Sequence, residues 1–478
     1  MPSNKKMLIQ IAAFLAAFLA FVFAVRAETQ SLETLLAYLK SPNASTRHDA
    51  ARRLGERRVR NQLAVEALAV TARKDEDRDV RSRALESLGM IKDFSALPEM
   101  IDALKDPNID VRRMAVKSLV ALYTEHDIDF ITNRRAGWNL FNPFLDTSDH
   151  EIVEPYVAVD PLVVTSIGDS ARGDRDRDVR ISAVRALGVL RGSAAIPHLA
   201  DALNADQDIR IEVMRAFIKI GDASAGPHLV PFFRDSDQKV RTQAMVAAGM
   251  LKYKPAVEPL LSVYGFGREK KGAFKTMSDK VKGRMTYLPP RDEAALWALS
   301  LIGDEKAEQT FVGEMTSTDA DRRQYAIEGL ARIADPRYLD QISRLVLTEN
   351  NNDVKLAEYW AMYKMGGTSN IQYVVRKLET DQEGQARTYL MEANSPADLY
   401  PYINASSREV RQKVIEILGR IGNGETIKEL EPVARTSSAA TADVATVAIK
   451  RIEWRMSGRP RAQDSVLQRE RPRRATNP

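Results

Sequence analysis

Apolar residues recur along most of this chain at helical spacing. Val80, Ala84, Leu88 and Ile91 form one stripe, and Val179, Ala183, Leu187 and Leu190 repeat it. Each stripe predicts an amphipathic helix with one face buried. The polar residues between them repeat as well: "DRDVRSRALESLGMI" from Asp77 returns as "DRDVRISAVRALGVL" from Asp176, identical at 8 of 15 positions, and the mismatches fall mostly where the helix faces water. Upstream of such helices lie "SALPEMIDAL", "AAIPHLADAL", "SAGPHLVPFF" and "KPAVEPLL". Each places a proline in a first helical turn, where its missing N–H costs nothing. The repeating unit is therefore a helical hairpin. Two helices cannot bury both apolar faces alone, so the units are expected to stack into an all-α, right-handed α-solenoid.

Aligning on the arginine of "DVR" gives a register of Arg47, Arg81, Arg112, Arg180, Arg210, Arg241, Asp292, Arg323, Lys355, Arg411 and Ala445. Three steps exceed the usual 30 to 34 residues, after Arg112, Arg241 and Lys355. The last predicts a degenerate repeat around Arg387, and the other two predict insertions, for a total of eleven or twelve hairpins. Gly89, Gly188, Gly249 and Gly419 follow the same core position, where a missing side chain permits close packing or an exit from the helix.

The phrase Asp-x-Asp-Val-Arg-x-x-Ala-x-x-x-Leu-Gly resembles the HEAT repeat, in particular the short variety named after phycobilisome lyases. The resemblance covers roughly residues 30 to 455, clearest at Arg81, Arg112, Arg180, Arg210 and Arg411 and faint at Asp292, Lys355 and Ala445. It implies that the aspartate caps the second helix. It also implies that Arg81, Arg112, Arg180, Arg210, Arg241 and Arg411 form a structural ladder, pairing with that aspartate or with the neighbouring repeat.

Residues 1–27 read as a signal peptide or an N-terminal membrane anchor. Lys5 and Lys6 precede a run from Met7 to Val25 whose one polar residue is Gln10, and Val25-Arg26-Ala27 has the spacing of a signal-peptidase site. The run is 19 residues, which also suits an uncleaved span. Either way the lysines stay inside and the body is exported, periplasmic or extracellular, with membrane contact only through residues 7–25 if they are retained. The chain has no cysteine, so its stability rests on packing. The net charge of +5 divides unevenly: the first 27 residues carry +3 and Arg451–Pro478 another +5, leaving −3 on the body. That is no nucleic-acid footprint. The tail, 456–478, mixes arginine with proline, lacks periodic apolar residues and is expected to be disordered.

Chemistry finds little purchase. "DEDRDV" and "DRDRDV" resemble the start of a calcium loop, but Val80 and Val179 stand where that loop needs glycine, and Glu86 and Arg185 stand at its twelfth position. His198 and His228 lie one repeat apart, too distant to share an ion. A HEAT-like iron hydroxylase depends on several His-Glu pairs; here there is only His150-Glu151. There is no Gly-x-Ser-x-Gly elbow. No catalytic, cofactor-binding or metal residue is expected, and the chain is read as not an enzyme. Bilin lyases share the repeat type, so a lyase or isomerase on this scaffold is the enzymatic alternative, with a pocket near His126, His150 and Trp138.

The insertions carry the candidate binding residues, because loops added to a scaffold often hold specificity. The first, 124–156, holds Arg134, Arg135, Trp138, Phe141 and Phe144, the residue types of binding hot spots, although a loop folding its aromatics onto the stack fits as well. The second, 266–291, holds Arg268, Lys270, Lys271, Lys275, Lys282 and Arg284 and a charge of +6, either a solvated loop or a site for an anionic partner. Five residues after each register position runs a stripe from Arg52, Glu86, Lys117, Arg185 and Arg215 to Trp297 and Trp360, which suits an extended ligand in a groove. The reading is a non-catalytic exported scaffold, its solenoid spanning 28–455, for protein–protein interaction in the cell envelope. The alternative is a module for an anionic envelope polymer or lipid acting through 266–291, with no cofactor in either case.

Overall fold

The computed structural model describes residues 31–124, 153–154, 157–268 and 290–457, and among them there are helices and no strands. The helices pair into twelve hairpins. The chain divides into two compact units, residues 1–125 and 126–478. The first holds three hairpins, whose second helices are Ala44–Glu56, Arg78–Ile91 and Ile109–Ala121. The second holds nine, from Pro161–Gly173 with Arg177–Leu190 to Gly424–Thr436 with Ala439–Ser457. The architecture is an all-α solenoid of stacked hairpins.

Each second helix starts where its sequence supplies a cap. Asn43, Asp77, Asn108, Asp176, Asp206, Asp237, Asp319, Asn351 and Ser407 all sit four residues before the register residue, and each side chain accepts from a backbone N–H of the first turn. The cap satisfies donors that the helix itself leaves open. The register arginine then reaches back. Nη1 of Arg47, Arg81, Arg112, Arg180, Arg241, Arg323 and Arg411 donates to the carbonyl six residues upstream, 2.6–3.0 Å away, closing the linker between the two helices.

The remaining guanidinium donors cross to the next hairpin only where position six before the next register residue is acidic. Arg47 pairs with Asp75 at 2.7 Å, Arg81 with Asp106 at 2.8 Å, Arg210 with Asp235 at 3.6 Å and Arg323 with Glu349 at 2.9 Å. Arg180 faces a chain with Asn204 at that position and Arg411 lies in the penultimate hairpin; neither makes an ion pair among the described residues. Arg241 is followed by the second insertion, its Nε is buried without a partner, and burial and Arg291 lower its pKa. Six arginines named together as one ladder thus differ: all but Arg210 clamp the carbonyl six residues upstream, Arg210 donates to Leu203 O instead, and the bond to the next hairpin depends on the neighbour's residue.

Helices pack closely where a side chain is missing. A Cβ on Gly188 would lie 3.0 Å from Ala216 Cα, and one on Gly419 only 2.8 Å from Ala448 Cα. The second contact also corrects the register. Gly188 meets the residue six beyond Arg210, so Gly419 meeting Ala448 sets the last register residue at Ala442, not Ala445. The first helices depart from expectation too. Around Pro227 and Pro231 the chain forms two 3₁₀ segments, Ala223–His228 and Val230–Arg234, instead of an α-helix. Two prolines four residues apart each remove one donor from an α-helical ladder, in consecutive turns.

Candidate functional site

The inward stripe of the second helices is the natural place to seek a ligand surface. In the first unit its charges are paired. Arg52 donates to Asp49 and to Glu56, and Glu86 lies between Arg83 and Lys117. A cavity of about 420 Å³ opens beside them, lined by Ser45, His48, Asp79, Arg83 and Glu86, with Arg83 Nε donating to His48 Nε2 at 3.1 Å.

In the second unit the stripe begins as a salt-bridged cluster and becomes core. Arg185 and Arg215 share Glu212 at 2.8 and 2.9 Å. Burial raises the Glu212 pKa, but the two guanidinium groups outweigh it, and the net shift is downward. Further along, Val246, Trp297 and Leu301 pack together with Met250 and Tyr325, and the Trp297 and Tyr325 rings stack at 5.8 Å. Trp360 stacks on Tyr389 at 4.2 Å with the planes 5° apart, and the Arg332 guanidinium lies 5.0 Å from the Trp360 centroid.

Polar groups close the same space. Tyr389 donates to Glu328 Oε1 at 2.6 Å, Gln324 donates to the same oxygen at 2.9 Å, and Arg332 reaches Glu392 at 3.1 Å and Ser300 O at 2.9 Å. Burial raises the Glu328 pKa against the pull of Arg332. Lys252 also meets Glu392, at 3.3 Å. These contacts join hairpins that are not adjacent along the stack, so the second unit fills its inner face with its own side chains. Trp297 and Trp360, proposed as partner-binding, are each 1 % exposed and belong to that core. Stacked rings of this kind add about 0.5–1.5 kcal/mol beyond their buried area.

A cavity of about 390 Å³ opens elsewhere in the second unit. Four arginines, Arg191, Arg420, Arg451 and Arg455, line it with Trp454 and a single carboxylate, Glu154. Residues 153 and 154 are brought there by two contacts: Val153 N donates to Val189 O at 2.7 Å, and Arg451 grips the Glu154 carboxylate through Nε at 2.8 Å and through Nη2. Arg455 is spent on backbone carbonyls, those of Arg420 and Gly422. Arg191 is different. It closes the Arg177–Leu190 helix in a left-handed conformation, φ 54°, and among the described residues its half-buried guanidinium has no hydrogen bond or ion pair. Burial lowers its pKa, Glu154 opposes that, and Arg451 adds to it. The Trp454 indole N–H is likewise buried with no acceptor among the described residues. Val153, Met391 and Ile421 supply an apolar wall.

Of the other residues singled out from sequence, Arg134, Arg135, Trp138, Phe141 and Phe144 lie outside the described residues, as do Lys270, Lys271, Lys275, Lys282 and Arg284. Arg268 ends the Val257–Arg268 helix. No repeat position or motif in the sequence marks Arg191, Trp454 or Glu154. Arg451 and Arg455 were counted only as charge of the tail, although their spacing of four around Trp454 places all three on one side of a helix.

The repeat geometry and the capped, arginine-clamped hairpins agree with the comparison to known families: the model described as HEAT repeats matches residues 13–88, 65–136 and 164–250. Over those residues the chain carries HEAT repeats. Among curated proteins it is similar to the phycocyanobilin lyase subunit alpha of Nostoc sp., 30% identical over 133 residues, which is 27% of this chain and 48% of that one. The chain thus matches about half the length of this relative. That relative is a lyase subunit, and the expectation that this HEAT-repeat chain stands outside the enzymes does not hold against it. Among solved structures, yeast importin-beta is 12% identical, with 92% of this chain and 70% of that chain covered and a TM-score of 0.42. The phycocyanin lyase complex of Nostoc sp. is 19% identical, with 70% and 95% covered and a TM-score of 0.24.

Proposed function

We propose that this HEAT-repeat chain is an exported scaffold that holds a protein partner in the cell envelope. The observation that carries the reading is the contrast within the second unit. Its inner face is closed by Trp297, Trp360, Tyr389 and the Arg332–Glu392 pair, whereas the arginine-lined cavity beside Trp454 stays open with a guanidinium unspent. Arginine beside tryptophan is the composition of binding anchors. The lyase subunit to which the chain is similar supports a partner that is itself a protein. Export is supported by Lys5 and Lys6 before the apolar run Met7–Val25 and by the Val25-Arg26-Ala27 spacing. The basic stretch 266–291 gives an anionic partner a second, salt-sensitive point of contact.

The test is to express the full chain with a C-terminal tag in its own cells, fractionate them, cross-link, and purify by size exclusion. The expected result is a chain in the envelope fraction, beginning at Glu28 or retaining residues 7–25, that co-elutes with a protein in fixed ratio. A chain that stays in the cytoplasm, or that elutes alone at every salt concentration, overturns the reading.

A further inference from the structure

We propose that the cavity formed by Glu154, Arg191, Arg451 and Trp454 is a carboxylate-recognition site that takes an acidic residue, flanked by an apolar one, from the partner protein. The inference rests on the scaffold reading above and adds the chemistry of the contact. Four arginines face the cavity and one carboxylate answers them. That carboxylate, Glu154, accepts two hydrogen bonds from Arg451, the fork arrangement by which a guanidinium selects a planar carboxylate. The cavity therefore already holds one example of the ligand it would accept.

Arg191 is the vacancy in this arrangement. Burial penalises the charge on this half-buried guanidinium and lowers its pKa, with Arg451 adding to the shift and Glu154 opposing it. An incoming carboxylate supplies the missing acceptor. Trp454 provides a second unmet donor in its buried indole N–H. The rest of the wall is apolar, through Val153, Met391 and Ile421, and receives the methylenes of the acidic residue or the side chain beside it. A volume of about 390 Å³ lies at the small end of ligand sites, which suits one or two side chains and not a long segment. The site is thus an anchor, and selectivity comes from pairing a charge with an apolar neighbour.

The experiment titrates the purified full chain with a fluorescein-labelled Gly-Glu-Phe-Glu-Phe-Gly peptide, with the same peptide carrying Gln for Glu, and with inorganic phosphate. The acidic peptide is expected to bind, the Gln peptide to bind at least tenfold more weakly, and Arg191→Gln to reduce binding of the acidic peptide at least tenfold. Among the described residues Arg191 makes no hydrogen bond through its side chain, so Arg191→Gln is expected to melt at or above the temperature of the parent. That separates a ligand role from a structural one. Trp454→Phe, which keeps the ring and removes the N–H, is expected to weaken binding by a smaller factor. Equal binding of the acidic peptide by the parent and Arg191→Gln overturns the site. Phosphate competing as well as the acidic peptide overturns the carboxylate assignment. A partner captured from cells whose binding survives Arg191→Gln leaves the scaffold reading standing and removes this site from it.

Discussion

The register arginine does two jobs with one guanidinium, and the two separate cleanly at Arg323 and Arg180. Both donate Nη1 to a carbonyl six residues upstream, 2.7 and 2.8 Å away. Arg323 also makes a two-point bond to Glu349, at 2.9 and 3.0 Å, in the next hairpin. Burial raises the Glu349 pKa, and the hydrogen bonds from Arg323 and from the Asn351 backbone reverse that shift. Removing one partner of a buried pair costs about 3–5 kcal/mol, while a lone hydrogen bond to a charged donor contributes about 1.5–3 kcal/mol. Arg323→Ala is therefore expected to destabilise the second unit more than Arg180→Ala does, by roughly 1–3 kcal/mol. Urea denaturation of the two variants measures the difference; equal midpoints would mean that the bond to the next hairpin contributes nothing.

At the scale of the helix, glycine decides how near neighbours come. Gly419 on Arg408–Ile421 lies against the backbone of Ala448 on Ala439–Ser457, where a Cβ would stand 2.8 Å from Ala448 Cα. Gly419→Ala must push the last hairpin outward, at a cost of about 1–3 kcal/mol. Gly173, at the end of its own helix, has nothing within 4 Å of the equivalent point. Gly173→Ala is expected to be neutral or to stabilise by up to about 1 kcal/mol, and thermal melts of the two variants make the comparison. This is also the scale at which the sequence is most legible. The caps at Asp77 and Asp176, the apolar stripe and the glycine after it all concern one helix or its immediate neighbour, and local periodicity encodes those. Trp297 and Trp360 show where that ends. Their spacing correctly puts them on the inward side of their helices, but whether that side meets solvent or another hairpin depends on how strongly the stack curves. Curvature accumulates from small rotations between many hairpins, and no single repeat spells it out. The cavity is hidden for the same reason: Glu154, Arg191, Met391 and Trp454 come from four distant stretches, and no spacing links them.

Across the nine hairpins described in the second unit, the grip of Arg451 on Glu154 spans 297 residues. Repeat arrays usually interact only with nearest neighbours, so their ends fray independently. Here the stretch preceding the Pro161–Gly173 helix is held to the final Ala439–Ser457 helix. Glu154→Gln weakens that bond without removing volume. It is expected to raise amide hydrogen exchange in both of those helices together, although they are the first and last of the unit. An increase confined to one of them would show that the pair only decorates the surface.

The same pair also changes what a pulling force meets. An open row of hairpins under tension peels from whichever end is weaker, one hairpin at a time, with small steps. In this unit both ends are tied to each other through two charged hydrogen bonds loaded in parallel, so extension is blocked until that single bond gives way. Once it gives way, the contacts of Tyr389 with Glu328 and of Arg332 and Lys252 with Glu392 take up the load inside the unit. A pull on the two ends of this unit is therefore met first by one glutamate at its entrance and one arginine at its exit.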